Sequence, residues 1–123
     1  MTQNTFRRLT AAELDALQAR EELRLLDSRD EGSFQREHIE GATRVHQGNL
    51  DALIRTTPRD QALLIYCYHG ISSQQYAGMF ADFGFTRVHD LIGGYEAWRA
   101  HAASRPAGGN VAAVSSGTPD DSG

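Results

Sequence analysis

Short apolar runs alternate along the chain with segments in which apolar residues recur every three or four positions. Runs of the first kind are typical of buried β-strands, and the second spacing is typical of amphipathic helices. The runs predict extended segments over residues 23–27, 41–45, 62–66 and 87–92. The helical spacing predicts helices after residue 10 and over residues 30–36, 48–54, 74–83 and 95–101. Strands separated by helices indicate an α/β fold with a parallel sheet sandwiched between helices on both faces.

The helix predicted over residues 74–83 has a clear amphipathic pattern. Tyr76, Phe80 and Phe83 lie at spacings of four and three residues, so they predict one apolar face that packs against the sheet. Gly84 follows directly, and glycine in this place is typical of a left-handed helix end. The residues before this helix therefore connect it to the preceding strand.

The length and the distribution of residue types predict one domain with two unstructured ends. A chain of 123 residues is enough for a single core. We assign residues 6–101 to that domain and expect residues 1–5 to be a flexible N-terminus. From residue 102 onward Ala, Ser, Gly, Pro and Asp dominate, and so few apolar groups cannot offset the entropy lost on ordering. We therefore predict a disordered C-terminal tail over residues 102–123.

The charge pattern narrows the range of partners. The formal net charge is −4 and the basic residues are scattered, which argues against nucleic acid as a partner. No stretch approaches the roughly 18 apolar residues of a membrane span, so we expect no membrane partner. The first residues lack the apolar core of a signal peptide. We expect a cytoplasmic protein, because a free thiol persists in reducing surroundings.

Cys67 is the only cysteine, and it follows the predicted strand 62–66 directly. A single thiol cannot form a disulfide within the chain. At a turn from strand to helix, backbone N–H groups and the helix N-terminus face its sulfur, and they favour the thiolate over the thiol. The alternative is a small buried hydrophobe that ends a core strand. A glycine and paired serines just beyond Cys67 favour the nucleophile, because packing alone does not require them.

The residues after Cys67 form a predicted binding loop for an anion: Tyr68, His69, Gly70, Ile71, Ser72 and Ser73. If Ser72 or Ser73 caps the following helix, the next amides have no intrahelical acceptor and point back into the loop. Backbone amides in a curved loop are suited to hold negative charge. His69 is the only side chain of the loop that can become cationic. We therefore expect amides and the helix end to provide most of the attraction for an anion.

Four sequence motifs occur in an order that resembles the rhodanese domain. They are Leu25-Leu26-Asp27-Ser28-Arg29 with Phe34, His38-Ile39-Glu40-Gly41-Ala42, the loop from Cys67 to Ser73, and Gly93-Gly94-Tyr95-Glu96-Ala97-Trp98. The resemblance covers roughly residues 6–101. The last two motifs are similar in particular to those of single-domain thiosulfate sulfurtransferases of the GlpE type. The resemblance implies a rhodanese-like α/β fold.

The resemblance also implies a thiosulfate:cyanide sulfurtransferase that works in two steps. Cys67 matches the family's nucleophile, which takes the outer sulfur of thiosulfate as a persulfide, releases sulfite and passes the sulfur on. Cyanide, a small thiol or a thioredoxin-like protein is the expected acceptor, and neither a metal nor an organic cofactor is expected. Asp27 and Arg29 match the family's Asp-x-Arg signature, which implies a supporting ion pair or a contact to substrate.

Loop composition separates this activity from related ones. Related cysteine phosphatases and arsenate reductases have a loop one residue longer, with an arginine at the sixth position after the cysteine that binds the oxyanion. That position is Ser73 here, which disfavours phosphate and arsenate chemistry. Mercaptopyruvate enzymes have a loop rich in Gly and Ser that lacks tyrosine and histidine, so thiosulfate is the preferred donor. Two alternatives stay open: a persulfide relay fed by a protein donor, and a non-catalytic binding module.

Overall fold

A five-stranded parallel sheet forms the centre of the domain. The computed structural model describes residues 5–104 and the backbone of residues 111–113. The sheet consists of β1 (Arg7–Leu9), β2 (Arg24–Asp27), β4 (Thr43–Arg44), β5 (Leu63–Tyr66) and β6 (Val88–Leu91). Its strand order is β1-β6-β5-β2-β4, and every neighbouring pair is parallel. Because β5 is central, its carboxyl end opens between the ends of β2 and β6.

Helices cover both faces of this sheet. They are α1 (Ala11–Gln18), α2 (Glu31–Arg36), α3 (Gln47–Thr56), α4 (Ser73–Asp82) and α5 (Gly94–Ala103). Alternate residues of β5 enter two separate cores, because successive side chains of a strand point to opposite faces. Leu63 and Ile65 pack with α3 and α4, whereas Leu64 and Tyr66 pack with α1 and α5. The predicted α/β architecture is confirmed. No helix in residues 5–104 is long and apolar enough to cross a membrane.

A second sheet lies partly inside the predicted C-terminal tail. It pairs β3 (Glu37–Ile39) with β7 (Val111–Ala113) in antiparallel register. The tail was expected from residue 102, whereas α5 continues to Ala103 and β7 follows later. Composition does not reveal this pairing, because an edge strand offers N–H and C=O groups to any backbone, whatever its side chains. The rest of the predicted tail and residues 1–4 of the predicted flexible N-terminus lie outside the described residues.

The sequence analysis did not predict β1. Two of its three residues are exposed arginines, so the segment shows no apolar run of the kind that predicts a strand. Backbone pairing with β6 defines it instead, with Arg8 opposite Asp90. This pairing places Arg8 near the carboxyl ends of the parallel strands.

The prediction that Phe83 joins the apolar face of α4 is wrong. Phe80 is completely buried, but Phe83 is 57% exposed. The helix ends at Asp82, and Phe83 is the capping residue that follows it, so the helical spacing no longer fixes its direction. Gly84 has the expected left-handed conformation, with φ +96°.

Truncation of these two phenylalanines tests the corrected assignment. Phe80→Ala should lower the free energy of unfolding by about 3–5 kcal/mol, because it leaves a cavity in the core. Phe83→Ala is the matched control and should change it by about 0.5 kcal/mol or less, as is usual at exposed positions. Urea unfolding of the two variants measures both values. Equal losses would contradict the assignment.

Candidate active site

Cys67 lies directly after the central strand β5, where the chain turns into a loop that leads to α4. We call residues 67–73 the cysteine loop. The Cys67 residue is only 3% exposed, so its sulfur lies largely inside the loop. The cysteine therefore stands at the carboxyl edge of a parallel sheet, a common place for ligand sites in α/β proteins.

Two backbone amides of the cysteine loop donate to the Cys67 sulfur. Gly70 N lies 3.2 Å from Sγ, and Ser73 N lies 3.3 Å from it. Four further amides of the loop donate to no acceptor in residues 5–104: those of Tyr68, His69, Ile71 and Ser72. All four residues are exposed, so these amides are available to a bound anion or to solvent.

Neither serine caps α4 through its side chain. Ser72 stands at the N-cap position, but its backbone is already helical and its side chain makes no capping hydrogen bond. The Ser73 hydroxyl donates to Asp90 Oδ2 at 3.0 Å instead. Gln74 N, in the first turn of α4, donates to Ile71 O at 3.3 Å. The Ser73 amide is therefore the helix-end donor that faces the sulfur.

The surroundings of Cys67 favour its charged form. Burial alone would raise the pKa of the thiol. Hydrogen bonds from the side chains of Ser73 and Ser72, and from the amides of Ser73 and Gly70, outweigh burial, and the pKa lies below that of an ordinary thiol. The Ser73 hydroxyl has a single proton, which Asp90 also attracts. The amides of Gly70 and Ser73 are the donors whose distances to Sγ the structure gives directly.

Gly70 shapes the cysteine loop where it crosses the end of β6. Its φ of +82° belongs to the left-handed region, which favours glycine. A Cβ at this position would lie 2.7 Å from Gly93 N and 2.8 Å from Leu91 O, and neither backbone atom can move freely. Only glycine fits this loop as it stands.

The start of α5 holds the other side of the loop. Tyr95 N donates to Cys67 O at 2.7 Å, and Glu96 N donates to Tyr68 O at 3.1 Å. Gly94 permits this approach, because a Cβ there would lie 2.5 Å from Cys67 O. The Gly93-Gly94 pair thus serves a close contact between α5 and the cysteine loop.

The large side chains of the loop lie at its mouth. Tyr68 is 40% exposed, and its hydroxyl contacts Asp30 and Ser33 at the start of α2. The hydrogen bond from Tyr68 lowers the pKa of Asp30. Ile71 is 74% exposed and His69 is also exposed. The mouth of the loop is therefore partly apolar, and hydrogen bonds of the Tyr68 hydroxyl connect one side of it to α2.

The structure brings a cation to the loop that the sequence analysis missed. Arg8 donates from Nη2 to Gly70 O at 2.7 Å. It also forms an ion pair with Asp90, with Nε 2.8 Å from Oδ1. The hydrogen bond to Asp90 raises the pKa of Arg8, and the charge of Cys67 adds to this effect. Only the pairing of β1 with β6 could have revealed this contact, because 82 residues separate Arg8 from Asp90.

Asp27 and Arg29 form an ion pair beneath the site. Arg29 Nη2 lies 2.7 Å from Asp27 Oδ2, and both side chains are buried. Arg29 also donates to Glu37 O at 2.6 Å, and its guanidinium lies 4.1 Å from the ring centroid of Tyr95. Its distance to the Tyr68 ring is 5.8 Å. The pair therefore packs under the residues that hold the cysteine loop.

The histidines outside the loop make structural contacts. His46 caps α3, and His38 Nδ1 lies 2.7 Å from Phe34 O. His89 Nδ1 lies 3.0 Å from Leu63 O, and His101 Nε2 lies 2.9 Å from Asp15 Oδ2. Among the described residues, no group of three or more His, Cys, Asp and Glu side chains is placed to hold a metal ion.

Comparison with protein families gives a match to the Rhodanese-like domain over residues 10–101. The chain is similar to the thiosulfate sulfurtransferase GlpE of Coxiella burnetii, with 33% identity over 85% of this chain and 98% of the relative. It is also similar to the GlpE of Shewanella oneidensis, with 36% identity over 77% of this chain and 94% of the relative.

Solved structures share the fold. The Alr3790 protein from Anabaena superposes with a TM-score of 0.70 and 23% identity, covering 85% of this chain and 81% of that one. A Rhodopseudomonas palustris protein of unknown function, RPA3614, named as a possible tyrosine phosphatase, superposes with a TM-score of 0.67 and 26% identity. It covers 78% of this chain and 81% of its own.

A single methyl group at position 70 tests the geometry of the loop. Gly70→Ala should lower the rate of Cys67 alkylation by iodoacetamide at pH 7 about tenfold, because a displaced loop withdraws amides that favour the thiolate. Gly78→Ala, in α4, is the matched control, since a Cβ there would meet nothing within 4 Å. It should leave the alkylation rate unchanged. If Gly70→Ala reacts as fast as the unaltered protein, the loop geometry does not control the thiol.

Proposed function

The chain belongs to the rhodanese-like domain family, and on that basis we propose that it is a thiosulfate sulfurtransferase in which Cys67 carries the transferred sulfur. The family match spans residues 10–101, and the GlpE relatives are aligned over most of their own length. The observation that carries the proposal is the Cys67 sulfur itself, which is buried at the end of the central strand and held by the amides of Gly70 and Ser73.

The reaction needs two displacements at sulfur. The Cys67 thiolate attacks the outer sulfur of thiosulfate, the sulfur–sulfur bond breaks, and sulfite leaves with the bonding electron pair. Cys67 then bears a persulfide whose outer sulfur is negatively charged. In the second step cyanide or a thiolate attacks that outer sulfur, and the Cys67 thiolate leaves. No net oxidation occurs, so the protein needs no redox partner for the transfer itself.

The cysteine loop suits both steps. Donors that favour the Cys67 thiolate prepare the nucleophile and also make it a good leaving group. The amides of Tyr68, His69, Ile71 and Ser72 have no protein acceptor within residues 5–104, so they are free to donate to thiosulfate oxygens or to the persulfide. Asp27 and Arg29 support the site from below in this proposal and do not bind substrate, because both are buried and paired with each other.

A phosphatase activity is the nearest alternative, since RPA3614 carries that suggestion in its name. The position that arginine occupies in phosphatase loops is Ser73 here, and its hydroxyl donates to Asp90. Arg8 lies beside the loop, but its guanidinium already donates to Gly70 O and Asp90. The loop itself ends in Ser73 and Arg8 is engaged by other acceptors, so sulfur transfer fits the loop better than phosphate chemistry.

The acceptor approaches from the mouth of the loop. The exposed Ile71 and Tyr68 give this mouth an apolar character, which suits a small thiol or a thioredoxin-like protein as the biological acceptor. A cytoplasmic location fits this chemistry, because a reducing compartment keeps Cys67 free and supplies thiols. A persulfide relay that receives sulfur from a protein donor uses the same loop and differs only in its partner.

Removal of the thiol tests the proposal directly. Cys67→Ser should abolish thiocyanate formation from thiosulfate and cyanide, because a hydroxyl is far less readily ionised than a thiol. The melting temperature should change little, which separates lost chemistry from lost folding. Thiosulfate should add about 32 Da, one sulfur atom, to the unaltered protein, and cyanide should remove it, as a covalent intermediate requires. Substantial turnover by Cys67→Ser would rule out Cys67 as the nucleophile.

Steady-state kinetics distinguish the enzyme from the relay. We expect sustained thiocyanate production at millimolar thiosulfate, since the loop amides attract a small dianion. A relay would instead form the Cys67 persulfide once and show near-zero turnover with thiosulfate. A binding module would form no persulfide at all. A colorimetric thiocyanate assay, combined with mass spectrometry of the intact protein, separates the three outcomes.

A further inference from the structure

A carboxylate lies unexpectedly close to the nucleophile. Asp90, at the end of β6, is completely buried. Its Oδ2 accepts a hydrogen bond from the Ser73 hydroxyl at 3.0 Å, and the Ser73 amide donates to the Cys67 sulfur at 3.3 Å. One serine therefore links the carboxylate to the thiolate. A negative charge at this place opposes thiolate formation, because like charges disfavour one another.

Arg8 is arranged to cancel that charge. It lies opposite Asp90 in the register of β1 and β6. Its Nε lies 2.8 Å from Asp90 Oδ1 and its Nη2 lies 3.1 Å from Oδ2, which is a bidentate contact. The same Nη2 donates to Gly70 O at 2.7 Å. One side chain thus holds both the buried carboxylate and the glycine whose amide faces the sulfur.

We propose that Arg8 is a positioning residue for Cys67, which acts by neutralising Asp90 and by holding the Gly70 carbonyl so that the Gly70 amide faces the sulfur. This inference rests on the proposed function, since it explains how the thiolate needed for sulfur transfer is maintained. The cation beside the cysteine loop therefore comes from β1. The cysteine loop itself contains only His69 as a group that can become cationic.

The other charged groups around the loop do not cancel Asp90. Asp27 and Arg29 neutralise each other in their buried ion pair. Asp30 is paired with Tyr68 at the start of α2, and His69 is exposed. Burial raises the pKa values of Tyr66 and Tyr95, so these phenols stay neutral near pH 7. Arg8 is the group whose removal leaves Asp90 uncompensated.

The pH dependence of Cys67 alkylation tests the inference, because the chain has one thiol and iodoacetamide is uncharged. Four proteins are compared: the unaltered chain, Arg8→Gln, Asp90→Asn, and the variant with both changes. Arg8→Gln should raise the apparent pKa of the thiol by roughly one unit, about a tenfold loss of thiolate below the midpoint. Asp90→Asn should lower it, because Arg8 is then unopposed. The double variant should return most of the way towards the unaltered protein, and the remaining difference reports the lost contact of Arg8 with Gly70 O.

Arg7→Gln is the matched control. It removes the same charge from the neighbouring position of β1, but its side chain points to the opposite face of the strand. Its alkylation profile should not move. A purely structural role for Arg8 would change melting temperatures and leave all the alkylation midpoints in place, which would overturn the proposal. A double variant with a pKa as high as that of Arg8→Gln would overturn the neutralising role of Arg8, since Asp90 would then not oppose the thiolate.

The test remains decisive if Arg8→Gln fails to fold. Asp90→Asn and the double variant leave no buried carboxylate without a partner, and the proposal requires Asp90→Asn to have the lower midpoint of the two. Equal midpoints in these two variants would refute it. The readout needs no turnover, so it is independent of the identity of the sulfur donor. Absence of sulfur transfer would refute the proposed function and leave this electrostatic result intact.

Discussion

A buried thiolate must find hydrogen-bond donors, and this requirement governs the whole site. Removing a charged sulfur from water is unfavourable unless other groups solvate it. The Gly70 and Ser73 amides do so here, at 3.2 and 3.3 Å from Sγ. Backbone donors are already oriented by the fold, so little rearrangement is needed when charge develops on the sulfur. The cysteine loop is consequently built from main chain, and its side chains lie mostly at the mouth.

Neighbouring elements keep these amides in place through close backbone contacts. Gly70 packs against the end of β6, and Gly94 lets the first turn of α5 donate to Cys67 O. Arg8 and Asp90 add a charged contact from the first strand. The five-stranded sheet aligns all of these groups, because parallel strands end at the same edge. Fold and chemistry are therefore linked through the ends of β1, β5 and β6.

The sequence predicted those parts of the site whose residues are close together along the chain. Cys67 and Gly70 follow a single apolar run, and their places at a strand-to-helix turn can be read from a short segment. Arg8 and Asp90 meet through strand pairing across 82 residues, which no local pattern contains. A side-chain cap by Ser72 or Ser73 is absent because Ser72 already has helical backbone angles and the Ser73 hydroxyl donates to Asp90. The strand β7 was not predicted because it pairs through its backbone, and Phe83 was misassigned because α4 ends one residue before it.

The most direct test of the account is the ionisation of Cys67 in the unaltered protein. The rate of alkylation is followed against pH for the native chain and for the same chain unfolded in guanidinium chloride. The unfolded thiol should titrate near the ordinary value of about 8.5. The account predicts that the native midpoint lies below the unfolded one, because the hydrogen bonds to Sγ outweigh burial. A native midpoint equal to the unfolded one, or above it, would contradict the account.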